Sequence, residues 1–213
     1  GELFCGPGGF AEGAGQAGFK HVWGVDNHAD SCISFERNQK CTTYCMEIKE
    51  FTEKYFLKRI KKKHKKIDGL LFGFPCNDFS LVGKKKKMDG AYGPLYTYAC
   101  KVLDYFQPKF FVAENVTSIG KILKQDNQPQ RLVDDIFPPE KLANENHQNF
   151  KKIMSDLANC SKYGYRIYAD NYKFEEYGIP QTRRRIILVG FRDDFFNKNK
   201  INFSKPEKIK GPF

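Results

Sequence analysis

The sequence predicts an α/β fold, a mostly parallel sheet with helices on both faces. Two observations carry this prediction. Short apolar runs alternate with amphipathic stretches along most of the chain, and successive β–α units favour a parallel sheet wrapped by helices. Near the N-terminus, Glu2-Leu3-Phe4-Cys5 is followed by Gly6-Pro7-Gly8-Gly9, then a helical stretch, then an apolar run closing on Asp26. That is the order strand, glycine turn, helix, strand, acid.

Taken in order, Glu2-Leu3-Phe4-Cys5 reads as the end of a first strand. Such a strand needs several residues more, so the sequence predicts residues before Gly1. Residues 10–17 form a helix that Gly18 ends, and 20–25 form the second strand. Asp26 then lies about 20 residues beyond the first glycine, where a carboxylate can bind ribose hydroxyls. The glycine spacing is not G-x-G-x-x-G, which argues against a dinucleotide. An adenosine-bearing cofactor without a pyrophosphate stays open, because glycines admit close backbone approach and a helix N-terminus favours a carboxylate. An ordinary βαβ turn stays open too. Residues 29–38 are a helix, 42–45 a short strand, and 49–60 a helix with Phe51, Tyr55 and Phe56 on its apolar side. The basic run 58–66 is a solvated surface or a nucleic-acid contact.

Residues 67–72 form a buried strand that ends in Gly73-Phe74-Pro75-Cys76. Pro75 fixes its own φ and holds Phe74 extended. Cys76 is thereby set past a strand's C-terminal end, where open α/β sheets bind ligands, and it is read as a nucleophile. The loop 77–93 is long for a compact domain. Its Lys84, Lys85, Lys86 and Lys87 suit a flap closing on phosphates. A helix over 95–106 leads to the strand 110–113, which ends in Glu114. A carboxylate there is a functional candidate or a cap for the next turn. Residues 117–146 read as an inserted loop and 148–160 as a helix. After a strand at 165–169, Gln181-Thr182-Arg183-Arg184-Arg185 enters a core strand at 186–191. Alternation puts Arg183 and Arg185 on one side, a fork for phosphate or a base edge. The polar tail 192–213 reads as a linker.

The net charge of +11 favours a polyanionic partner, although a generally lysine-rich composition would give the same excess. The seven cysteines show neither a disulfide framework nor zinc-ligand spacing. A reducing, cytoplasmic setting without a metal follows. There is neither a signal peptide nor an apolar run that spans a membrane.

Five of these segments, in order, resemble motifs of the cytosine-C5 DNA methyltransferase family of the bacterial restriction-modification type. They are Glu2-Leu3-Phe4-Cys5-Gly6-Pro7-Gly8-Gly9-Phe10, Gly73-Phe74-Pro75-Cys76-Asn77-Asp78-Phe79-Ser80, Gly93-Pro94-Leu95-Tyr96, Glu114-Asn115-Val116 and Gln181-Thr182-Arg183-Arg184-Arg185. The resemblance implies a Rossmann-like S-adenosylmethionine-dependent catalytic domain over 1–191, with the insertion at 117–146. Residues 192–213 would lead toward a target-recognition region that this sequence does not contain.

The implied cofactor is S-adenosylmethionine. Phe4 would pack on its adenine, Asp26 would hold the ribose, and Glu47 and Ile48 would sit beside the adenine. Gly6, Gly8, Gly9, Asn27, Phe74 and Leu95 would complete the contacts. The implied chemistry is attack of the Cys76 thiolate at C6 of a flipped cytosine. Glu114 would bond N3 and the exocyclic amine, and Arg183 and Arg185 would hold the base or its phosphate. Ser80, Lys84, Lys85, Lys86, Lys87 and Gln181 would meet double-stranded DNA. A second chain or a further C-terminal segment would carry target recognition. Glu2 and Glu47 stand where the family usually has Asp, and Asn77 where glutamine is commoner, which leaves their contacts open. An RNA-methylating relative and a non-catalytic nucleic-acid-binding subunit are the competing readings. The glycine spacing disfavours a nicotinamide oxidoreductase.

Overall fold

The structure, a computed structural model, describes residues 1–75, 95–116 and 145–209. Seven strands form one sheet in the order β3-β2-β1-β4-β5-β7-β6. The strands are β1 (Glu2–Leu3), β2 (Trp23–Asp26), β3 (Thr42–Cys45), β4 (Gly69–Phe72), β5 (Phe110–Val116), β6 (Tyr165–Lys173) and β7 (Arg184–Arg192). The pairings from β3 to β5 are parallel. Strand β7 lies antiparallel between β5 and β6. The dinucleotide-binding order 3-2-1-4-5-6 is thus interrupted by one reversed strand. The expected fold class is what the chain adopts.

One face of the sheet carries most of the core. Leu70 and Phe72 of β4 and Phe111 and Ala113 of β5 alternate onto it, all fully buried. They join the core residues of α3 (Ile48–Phe51), α4 (Lys54–His64), α5 (Tyr96–Phe106) and α6 (Glu145–Asn159). Each large side chain buried there contributes roughly 1.5–3 kcal/mol. The Tyr96 hydroxyl donates to Asp156 Oδ2 at 2.6 Å, tying α5 to α6.

On the other face, α1 (Gly9–Gln16) and α2 (Ala29–Gln39) enclose a small cluster of Cys5, Ala11 and Phe35. Gly8 precedes α1 with φ +103, a left-handed value that the tight turn into the helix requires. Leu71, Phe110 and Val112 point to this face as well. With Gly13, Ala14 and Ala17 they line an apolar cavity of about 520 Å³. It lies toward the starts of β1, β4 and β5, where Gly1, Gly69 and Phe110 line it, on the face that Glu114 shares by alternation.

The elements depart from the sequence reading in several places. The helix expected over 49–60 is two helices. Thr52 turns its hydroxyl onto the Lys49 carbonyl at 3.1 Å, and Glu53 is extended, with ψ 139°. A side chain that bonds its own backbone competes with helix continuation. The second helix therefore carries most of the basic run, ending at His64. Strands β5, β6 and β7 are longer than expected, so Glu114 lies within β5 rather than beyond it. Within the stretch read as a linker, Asp193–Asn199 form helix α7. Asp193 and Asp194 favour its first turn, and Phe196 is buried. Beyond it the chain is held to β6 by Lys205–Asp170 at 3.0 Å and to the turn after β6 by Lys208–Glu176 at 2.9 Å. The expected insertion at 117–146 lies almost wholly outside the described residues.

Candidate active site

The C-terminal ends of β1 to β4, with Leu95, bring most of the predicted cofactor residues together. Phe4 leaves β1 with φ +54, and Asp26 ends the neighbouring β2. Asp26 Oδ2 accepts the Gly6 N–H at 2.9 Å and Oδ1 accepts the His28 N–H at 2.9 Å. The glycine turn and the start of α2 are thereby fastened to one carboxylate. Asn27 Nδ2 donates to Glu47 Oε1 at 3.0 Å, joining the ends of β2 and β3.

Phe4, Asp26, Asn27, Glu47, Ile48 and Leu95 line a cavity of about 180 Å³, completed by Val25, Met46 and Pro75. It combines an aromatic ring, two carboxylates and apolar walls. Each Asp26 oxygen takes one backbone N–H and keeps a lone pair for a hydroxyl. A ribose and a flat heteroaromatic base fit this donor and acceptor set. Gly6, Gly8 and Gly9 do not line it. Gly6 acts through Asp26, and a Cβ at Gly6 or Gly9 would meet nothing within 4 Å. Gly9 borders the apolar cavity on the other face instead. Phe74 is displaced as well. Its ring is 4% exposed and packs 6.1 Å from Tyr96, so Pro75 meets the cavity in its place.

A second group of side chains forms between β5 and β7. Glu114 pairs with Ile187 across the ladder and Val116 with Arg185, which makes Arg185 the same-face diagonal neighbour of Glu114. Arg185 Nε lies 2.5 Å from Glu114 Oε1, and Arg183 Nη2 lies 3.9 Å from the same oxygen. The two arginines do share a side, and what they share is the acid. Glu114 Oε2 lies 3.4 Å from where a Cβ on Gly73 would stand. A Cβ there would be in ordinary van der Waals contact with the carboxylate. Gln181 is exposed on the loop before β7. Cys76, Ser80, Lys84, Lys85, Lys86 and Lys87 lie outside the described residues.

Asn115 is the residue that sequence reasoning missed as a participant. It is 3% exposed, and its Nδ2 donates to the Phe74 carbonyl at 3.1 Å. The signal was present, since Phe111, Ala113 and Asn115 are the core-facing alternation of β5. A polar residue in that row must find a partner. Glu2 shows the opposite outcome. It is 2% exposed, lies 3.0 Å from His21 and is not part of the cavity. Burial raises its carboxyl above the usual range, with His21 opposing.

Residues 1–211 match the family model for C-5 cytosine-specific DNA methylase. The chain belongs to the C-5 cytosine-specific DNA methylase family. A relative in this family, the type II methyltransferase M.BbvI of Brevibacillus brevis, is 39% identical over 91% of this chain and 49% of its own length. The type II methyltransferase M.NgoFVII of Neisseria gonorrhoeae is 31% identical over 90% of the chain and 43% of its own length. The chain thus spans about half the length of the curated relatives it matches. The fold is shared with an Escherichia coli prophage-encoded DNA modification methyltransferase, with TM-score 0.67 and 22% identity over 95% of this chain and 48% of that one. It is shared too with the S. pombe Dnmt2 methyltransferase, with TM-score 0.60 and 15% identity over 90% and 50%. Among the described residues no His, Cys, Asp or Glu cluster could hold a metal ion. No helix among them is long and apolar enough to cross a membrane.

Proposed function

We propose that this chain carries the cofactor-binding and catalytic part of a DNA cytosine-C5 methyltransferase, with S-adenosylmethionine as cofactor. When bound, the cofactor supplies a methyl group activated by its sulfonium. The observation that carries the reading is the Glu114 carboxylate, clamped by Arg185 and standing beside Gly73, next to a backbone that Asn115 anchors two residues before Cys76.

The chain's own groups divide the work. Asp26 receives the ribose hydroxyls while keeping the glycine turn closed. Phe4 would pack on the adenine, and Glu47 and Ile48 would lie beside it. C5 of cytosine is a poor nucleophile while the ring is aromatic. The Cys76 thiolate adds at C6, breaks the conjugation and makes C5 electron-rich. Glu114 bonds N3 and the exocyclic amine and so stabilises the charge that builds on the ring. Arg185 fixes that carboxylate, and Arg183 reaches the base or its phosphate. After methyl transfer, loss of the C5 proton expels the thiolate. The base must leave the duplex for C6 to be reached, and Ser80, Gln181 and the lysines 84–87 are assigned to DNA. A further segment or a second chain supplies target recognition.

Covalent trapping tests the proposal. With S-adenosylmethionine and duplex DNA containing 5-fluorocytosine, the elimination step is blocked, so a denaturant-resistant adduct forms that Cys76→Ser abolishes. An adduct with 5-fluorocytosine RNA and none with DNA would reassign the substrate. Cofactor binding without any adduct, in the presence of a supplied recognition segment, would overturn the catalytic reading.

A further inference from the structure

Helix α4 carries a concentration of charge that the proposed chemistry does not use. Residues 54–66 hold eight Lys and Arg and no Asp or Glu. Among the described residues, no carboxylate lies within ion-pair distance of any of the eight. Leu57 and Ile60 bury the helix against the core. Its outer side forms an open groove of about 600 Å³ with β3, the edge strand of the sheet.

The groove is built rather than merely charged. Its walls include Tyr44, Tyr55, Phe56, Arg59, Lys62 and Lys63. The Arg59 guanidinium lies 5.8 Å from the Tyr55 ring centroid and 5.6 Å from that of Phe56. Lys63 Nζ donates to Thr42 Oγ1 of β3 at 2.8 Å. Two cations are therefore oriented by neutral partners and keep their full charge. The basic end of α4 leads into the start of β4, so it sits at the opposite end of the sheet from Asp26, Glu47 and Pro75.

We infer that this groove is an exosite for the sugar–phosphate backbone of duplex DNA, separate from the cofactor cleft. Phosphates are the complement of unneutralised cations in a row, and such contacts position nucleic acid without reading its sequence. The duplex is favoured over a single strand because Arg59 already engages both rings. They stiffen the guanidinium rather than serve as stacking platforms for unpaired bases. The groove would hold DNA flanking the target and keep the protein on its substrate between encounters.

The test uses a fluorescent duplex of A·T pairs alone, which makes cytosine chemistry silent and keeps this result independent of the proposed function. Binding is measured across a salt series. Each phosphate contact contributes about 0.9 to the slope of log K against log[salt]. The triple variant R59Q/K62Q/K63Q is expected to lower the slope by about 2–3 and to weaken binding at least about tenfold near 0.1 M salt. The double K62Q/K63Q changes only exposed side chains and is expected to lower it by about 2. The control K54Q/K58Q/K65Q removes the same charge outside the groove and is expected to change the slope by less than about 1. Equal losses in both triples, or no loss in the groove variants, would overturn the exosite. Tighter binding of a single strand of the same length would overturn its assignment to duplex.

Discussion

The Asn115 side chain donates to the Phe74 carbonyl at 3.1 Å, across 41 residues of sequence. The bond pins the backbone leading to Cys76 onto the same strand that carries Glu114. Asn115→Ala leaves the Phe74 carbonyl buried without its partner, at a cost of about 1–3 kcal/mol. Chemical denaturation should show that loss. The rate of Cys76–DNA adduct formation should fall further than the stability loss explains, because the nucleophile's approach is no longer set.

Glu114 and Arg185 should behave as one unit. Glu114→Gln is expected to slow single-turnover methyl transfer about 10²–10³-fold, the usual cost of removing one group that stabilises developing charge. Arg185→Ala should slow it comparably, and the double variant should be little worse than either single. Arg183→Ala should cost only a few-fold by comparison. Its guanidinium is 3.9 Å from the acid and 44% exposed, where solvent screens the interaction.

Asp26 binds two backbone N–H groups and is assigned the ribose. Asp26→Ala should weaken S-adenosylmethionine at least about tenfold in calorimetric titration, the scale of one charge-assisted hydrogen bond. Repeating the titration with an analogue that lacks both ribose hydroxyls isolates the contact. Wild type and variant should then bind almost equally. A persistent difference would mean that Asp26 matters only through the turn.

Phe4 sits at φ +54, a conformation that costs a non-glycine residue roughly 1–2 kcal/mol. Comparing Phe4→Gly with Phe4→Ala separates backbone from ring. Both should lose cofactor affinity to the same extent, since both lack the ring. The glycine variant should be more stable than the alanine variant by about 1 kcal/mol, read from thermal melts.

Burial raises the Glu2 carboxyl above its ordinary value. Between that ordinary value and the raised native one, the folded state holds the proton more often than the unfolded state. Stability therefore falls as pH rises through this window. Glu2→Gln cannot titrate, so its melting temperature should vary less than that of wild type from the ordinary carboxylate range upward. Parallel curves for the two proteins would show that Glu2 does not set this slope.

What the sequence made legible was local. Glycine, proline and two-residue alternation mark the strand ends, and Asp26, Glu114 and Arg185 stand at or near them. The side shared by Arg183 and Arg185 follows from alternation alone. Contacts set by distant pairing were hidden. The Asn115–Phe74 bond, the Glu2–His21 pair and the withdrawal of the Phe74 ring into the core depend on which strands adjoin and in what register. The break at Thr52 was hidden for another reason. Phe51, Tyr55 and Phe56 keep a helical period across it, while the Thr52 hydroxyl turns onto Lys49 and Glu53 is extended.

The reversed direction of β7 has a consequence for how this chain tolerates change in length. Because β7 runs against β5, its first residues, rather than its last, stand beside Glu114. A residue gained or lost in the connector before Arg183 leaves the ladder below it intact. The same change between Arg185 and Leu188 would turn Arg185 to the opposite face without touching Arg185 itself. Spacing along that short stretch is therefore as much a part of the site as the arginine itself.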